Sequence, residues 1–221
     1  IHSKTEDKLM YHIHDRIPFP DTSTETGAYV LGLLWGVCSR NIEGYLIRHR
    51  IPWFVNCVKE YMQIPNSPYI LTARTGDQTV LKITKKPFIR QIDHLLIKQG
   101  WQPRNAAKRS YPCKNIDDKG FVRAWIELHS SIDIAHIGTK RVATPRIRIY
   151  GNEELIEKIN TVLSAETELK PRRLQKTTNE ITKALYYHGS SAQNLYNWIY
   201  DTPTIYCPDI HKTFVDILSR S

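Results

Sequence analysis

Cysteine pairing is absent from this 221-residue chain: Cys38, Cys57, Cys113 and Cys207 lie far apart, and no two fall in a CxxC spacing. That excludes a zinc module of ordinary spacing and a dense disulfide scaffold, and predicts buried or incidental free thiols. No apolar run approaches the ~20 residues that span a bilayer, and no basic-then-apolar leader opens the chain. A soluble, intracellular protein with no membrane partner is therefore expected. The first residue is Ile1 rather than Met, which suggests trimming or a missing N-terminal region. Acidic residues are also scarce: 22 Asp and Glu stand against 31 Lys and Arg, for a formal net charge of +9. The expected partner is anionic.

With 41% hydrophobic residues the chain can bury a substantial core, as one large domain or two small ones. Its most organised stretch runs from Ala28 to Ser39 and is apolar, with glycines four apart at Gly32 and Gly36. Glycine inside a helix costs roughly 1 kcal/mol relative to alanine, so this spacing predicts a helix that another backbone approaches closely. A second run of the same outline, Gly120 to Ser131, is its natural partner.

In order, residues 1–21 form a polar extension, whose His12 and His14 read as surface residues without a third metal ligand. Thr22-Ser-Thr-Glu25 reads as a capping box for the first helix. A short strand at Tyr45–Arg50, a helix from Ile51 to about Ile64, a hairpin over Tyr69–Arg74 and Thr79–Thr84, and a helix ending at Gly100 follow. A basic linker spans 101–116, and Asp117 or Asp118 caps the second organising helix. Strands at Ile132–Ile137 and Pro145–Tyr150, a helix capped by Asn152, strands at Arg172–Lys176 and Ile181–Tyr187, a helix from Ser190 and a last helix from Asp209 to Leu218 complete the chain. Each half reads αββαββα, so 22–100 and 117–201 form a pseudo-dimer, with 202–221 appended.

This repeated plan, entered by Leu31-Gly-Leu-Leu-Trp-Gly36, resembles the LAGLIDADG homing endonucleases in their single-chain, two-copy form. Val30–Cys38 and Val122–Ser130 align with the family's nine-residue motif. Arg146–Ile159 and His188–Tyr200 resemble its strand-to-helix junctions. The resemblance implies an α+β fold of two pseudo-symmetric repeats, each with a curved antiparallel sheet, joined through a central pair of packed helices. Gly32, Gly36 and Ala124 keep the motif's small packing residues, whereas Leu128 replaces one.

The resemblance also places a metal-binding acid at the motif's eighth position, where this chain has Val37 and His129. Valine has no ligand atom, and imidazole suits Zn²⁺ or Cu²⁺ better than Mg²⁺. No catalytic residue, metal or cofactor is therefore expected. If cleavage survives, Mg²⁺ would need a substitute carboxylate such as Asp133 or Glu43. Glu127 lies about 200° around its helix from His129 and points away.

Implied DNA contacts lie on the sheets, whose strands must alternate apolar residues inward with polar residues outward. Arg146 and Arg148 share a face with Thr144 and Tyr150, Lys82 with Thr84, Arg74 with Thr72, and Arg48 with Arg50; Arg173 and Lys183 are candidates in the last pair. Lys140 and Arg141 at a hairpin tip, and Arg104, Lys108 and Arg109 in the linker, read as phosphate contacts. Trp35, Trp53, Trp125 and Trp198 sit in apolar helical patterns and read as core.

The expected function is sequence-specific binding of double-stranded DNA by a non-cleaving regulator that acts as a monomer across a pseudo-palindromic site. A diverged metal-dependent endonuclease, an RNA-binding intron maturase and a protein-interaction module using the final helix are the competing readings.

Overall fold

A computed structural model describes residues 20–74, 76–103, 109–113, 115–139, 141–178 and 181–220. His12, His14, Arg104, Lys108 and Lys140 lie outside the described residues. The first organising helix, α1, is Glu25–Val37, and its partner α4 is Asp118–His129. The cap of α1 is Thr24, whose hydroxyl accepts from the Gly27 amide at 3.1 Å, rather than Thr22. Thr22 instead donates to the Asn115 carbonyl at 2.8 Å and accepts from the Asp117 amide at 2.8 Å, tying the start of α1 to that of α4. Asp117 caps α4 by accepting from Gly120 at 2.7 Å.

The two helices run side by side in the same direction. A Cβ on Gly32 would stand 2.6 Å from the Ala124 Cβ, and one on Gly120 would stand 2.2 Å from the Glu25 carbonyl oxygen. Near the C-termini, a Cβ on Gly36 would meet Leu128 at 2.6 Å and His129 at 2.8 Å. Leu128 thus occupies the space left by Gly36. Because Gly120 faces backbone, which cannot rotate away, Gly120→Ala is expected to destabilise the fold by about 1–3 kcal/mol despite alanine's better helix propensity. Urea unfolding followed by Trp fluorescence measures this; an unchanged midpoint would contradict the close approach.

Each helix passes directly into a sheet. After α1 come β1 (Cys38–Asn41) and β2 (Gly44–His49), then α2 (Pro52–Tyr61), β3 (Tyr69–Ala73), β4 (Gly76–Ile83) and α3 (Lys86–Lys98). After α4 come β5 (Ser130–Ile137), β6 (Val142–Gly151), α5 (Glu153–Glu166), β7 (Gln175–Lys176), β8 (Lys183–His188) and α6 (Ser190–Ile199), followed by α7 (Pro208–Leu218). Both sheets are antiparallel, ordered β1-β2-β4-β3 and β5-β6-β8-β7. The shortness of the first pair comes from its loop, where Asn41 Oδ1 accepts from the Glu43 and Gly44 amides at 3.0 Å each. Arg74 sits in the β3–β4 turn rather than in β3, and β7 is shorter than its sequence suggests.

One apolar core runs through both halves. Tyr45, Ile47, Leu81 and Ile83 from the first sheet, and Ile147, Ile149, Leu185 and Tyr187 from the second, are fully buried against the helices. These residues fix which face of each sheet points outward, since paired residues in an antiparallel ladder share a face. Trp35 and Trp125 are buried in this core, while Trp53 and Trp198 are partly buried against it.

Candidate nucleic-acid interface

On the second sheet the register sets Ser131 opposite Arg148 and Asp133 opposite Arg146, and then Arg148 opposite Tyr186 and Arg146 opposite His188. With Ile147 and Ile149 inward, Arg146, Arg148 and Tyr150 lie outward as their alternation predicts. Tyr186 and His188 join them, although nothing in the sequence reading singled them out. Asp133 organises the group: it accepts from Arg146 Nε at 2.9 Å and Nη2 at 2.7 Å, and from Arg148 Nη2 at 2.8 Å. The Arg146 hydrogen bond, helped by Arg148, holds the Asp133 carboxyl below its ordinary pKa. Burial, Arg146 and Arg172 depress that of His188.

Lys183 has the parity of Leu185 and Tyr187, so it starts β8 on the helix side, with its ammonium 3.7 Å from Glu153. This departs from the outward placement expected for it. Arg173 is exposed and precedes β7, and Arg141 is exposed at the β5–β6 turn, its amide donating to Gly138 at 3.1 Å.

The first sheet differs. Leu46 pairs with Lys82, and Val80 lies between Arg48 and Tyr69, while Leu71 pairs with Gln78. Leu71 and Tyr69 therefore share the outward face with Arg48 and Lys82, and Thr72 falls on the other side with Ile70. The Thr72 and Arg74 face read from the strand alone is overturned by the register. Lys82 pairs with Glu43 at 2.7 Å, while Arg48, Arg50 and Arg74 are exposed.

Where α1 and α4 end, an open cavity of about 310 Å³ is lined by residues including Val37, Cys38, Arg48, His49, Arg109 and His129. No carboxylate is among its described lining residues. Burial, with His49 and Arg109 nearby, pushes the His129 imidazole down to about 4, and its Nε2 is buried without a described partner. His49 Nδ1 accepts from the Ile51 amide at 3.0 Å. Among the described residues no group of three His, Cys, Asp or Glu side chains is placed to hold a metal. The site therefore does not fit Mg²⁺, which requires oxygen ligands.

The possible replacements are engaged elsewhere. Asp133 is held by two arginines and Glu43 by Lys82. Glu127, 4% exposed, accepts from the Tyr29 hydroxyl, from Tyr200 at 3.0 Å and from the Cys207 amide at 3.0 Å. Arg109, expected as a phosphate contact, is 3% exposed. Its guanidinium donates to the Trp35 carbonyl, to that of Cys38 at 2.8 Å and to that of Gln102 at 3.0 Å, and lies 4.4 Å from the Trp101 ring centre. It closes the carbonyl end of α1, where helix C-termini favour a cation.

No protein-family model matches the sequence, and no curated protein is significantly similar to it. Solved structures are. The LAGLIDADG homing endonuclease I-LtrWI bound to target DNA superposes with a TM-score of 0.57 at 10% identity, covering 88% of this chain and 90% of that one. I-GzeII in complex with its DNA target gives 0.57 at 10% identity, with 87% and 88% covered. Mesophilic variants of I-DmoI give 0.54 at 12% identity, with 87% and 98% covered. Two repeated αββαββα units, their paired helices and these superpositions establish that the chain has the two-repeat LAGLIDADG homing-endonuclease fold.

Proposed function

We propose that this chain binds double-stranded DNA sequence-specifically, as a monomer, and regulates rather than cuts its target inside the cell. The carrying observation is the outward cluster of Arg146, Arg148, Tyr150, Tyr186 and His188 on a sheet whose other face is core. Arginine forks pair with guanine O6 and N7 or with phosphate, and the hydroxyls and imidazole supply further donors and acceptors. A net charge of +9 adds sequence-independent attraction.

The regulatory reading rests on the cavity at the helix ends. Phosphodiester hydrolysis by metal ions needs an oxygen-rich seat that activates water and neutralises developing charge. Val37, His49, His129 and the buried Arg109 supply a neutral or cationic surface there instead, so the duplex is held and not hydrolysed.

Selection of bound duplexes from a random pool, followed by incubation of the winners with Mg²⁺ or Mn²⁺, tests both parts. Salt-dependent, sequence-selective binding with intact strands is expected. Strand cleavage would establish the diverged-endonuclease reading instead, and stronger binding of structured RNA than of any duplex at matched salt would establish the maturase reading.

A further inference from the structure

The two repeats present unlike faces. The second is rich in hydrogen-bonding groups. The first carries an apolar stripe formed by Leu46, Val80, Tyr69 and Leu71, which the register places across three strands of one face. Val80 is covered, at 2% exposure, but Tyr69 and Leu71 are 48% and 43% exposed. They belong to β3, which has no charged residue and forms the free edge of its sheet. Exposed edge strands are ordinarily guarded by charge, so an uncharged apolar one calls for an occupant.

We propose that the first repeat reads its half-site through the C5-methyl groups of thymines, received by Leu46, Tyr69 and Leu71, while the second repeat reads its own by hydrogen bonds. The inference rests on the DNA-binding reading above. In the major groove the thymine methyl is the apolar group that base edges offer, and it distinguishes thymine from every other base by contact alone. The surroundings favour a duplex over a protein. Arg48 shares the face, and Arg50 and Arg74 are exposed at the ends of the adjoining strands, so apolar contacts lie among cations as bases lie between phosphates. The face is also continuous in architecture with the Arg146 and Arg148 face, because each sheet begins at the residue after its own helix and the two helices end together. The target is then a pseudo-palindrome in spacing and an asymmetric site in chemistry.

Deoxyuridine differs from thymidine by that methyl alone. Full-length protein is titrated against a selected duplex by fluorescence anisotropy, with thymines replaced by deoxyuridine in one half-site at a time. In one half-site each contacted methyl should contribute roughly fourfold in affinity, the value of one buried methyl group. The other half-site should be insensitive. Leu71→Ala and Tyr69→Ala, at exposed positions that leave the core intact, should each remove about one methyl's share of the deoxyuridine effect while preserving base preferences in the other half.

Selected duplexes that bind equally well with deoxyuridine in either half would overturn the inference and leave DNA binding standing. Failure to bind any duplex would overturn the underlying reading. A concentration-dependent dimer in sedimentation, dissolved by Leu71→Arg, would assign the stripe to a second copy of the chain and would also overturn the inference.

Discussion

Replacing Arg146 and Arg148 together by alanine is expected to weaken binding to a selected duplex by roughly 30- to 10⁴-fold, since each arginine fork on a base or phosphate contributes about 1–3 kcal/mol. Both side chains project outward from β6 and are aimed by one carboxylate, Asp133, so their orientation is set before any ligand arrives. Pre-orientation spares the ordering of long side chains on binding. The double variant carries a second penalty: Asp133 stays on the face without its partners and repels phosphate.

Titrations at several salt concentrations separate the roles. Loss of a phosphate contact lowers the salt slope by about one per residue, while loss of a base contact relaxes selectivity at a single position. Lys183→Ala is the control. Its ammonium lies beside Glu153 on the helix side, so affinity should stay within about twofold of the parent, as for a side chain outside the contact surface. A double variant that binds as well as the parent, or a Lys183→Ala variant that binds as poorly as the double one, would show that the duplex does not lie on the Arg146 and Arg148 face.

Lys183 marks where sequence reasoning reaches its limit. Helix positions, both caps of the second repeat and the αββαββα order were legible because apolar periodicity and side-chain caps are local. Which face a strand turns outward is not local when its apolar residues are not cleanly alternating. Tyr69-Ile-Leu-Thr-Ala73 contains three consecutive large apolar residues, so either parity fits, and pairing of Leu71 with Gln78 and of Tyr69 with Val80 decides it. The same holds for Lys183-Ala-Leu-Tyr-Tyr-His188, where two adjacent tyrosines hide the fact that Tyr187 is buried and Tyr186 faces out. At the helix ends, the sequence revealed Val37 and His129 because a motif marks their positions. It gave no signal for Arg109, which reaches back from the linker across 74 residues to the Trp35 carbonyl. Buried polar partners of that separation have no pattern in a single chain.

Glu127 shows the same non-local character, and it gives the protein a definite pH response. Burial pushes its carboxyl up to about 7, against the opposing pull of the Tyr29, Cys207 and Tyr200 hydrogen bonds and of Arg123. A carboxyl whose folded pKa lies above its unfolded value of 4.5 holds its proton more tightly in the folded state. Its contribution is therefore full below pH 4.5 and is lost as pH rises to about 7, a swing of about 3 kcal/mol. His129 acts in the opposite sense: burial lowers it to about 4 from 6.5, so its contribution is lost as pH falls through that window. The raw stability profile mixes the two, and the difference between parent and Glu127→Gln isolates the carboxyl. Glutamine keeps the shape and can accept from the Cys207 amide while staying neutral at every pH. Relative to the parent, Glu127→Gln should gain about 3 kcal/mol between pH 4.5 and 7 and level off above it. Urea midpoints of both proteins at a series of pH values measure this, and parallel profiles would refute it. Glu127→Ala should instead cost about 3–5 kcal/mol at pH 4.5, because the Tyr29 and Tyr200 hydroxyls and the Cys207 amide lose their acceptor, and that cost should shrink by about 3 kcal/mol as pH rises to 7 and the parent carboxyl ionises. Tyr29 lies on α1, while Tyr200 and Cys207 lie in the segment between α6 and α7. The loss therefore falls on the helix pair from which both sheets extend, and the affinity for duplex proposed above should decline together with stability.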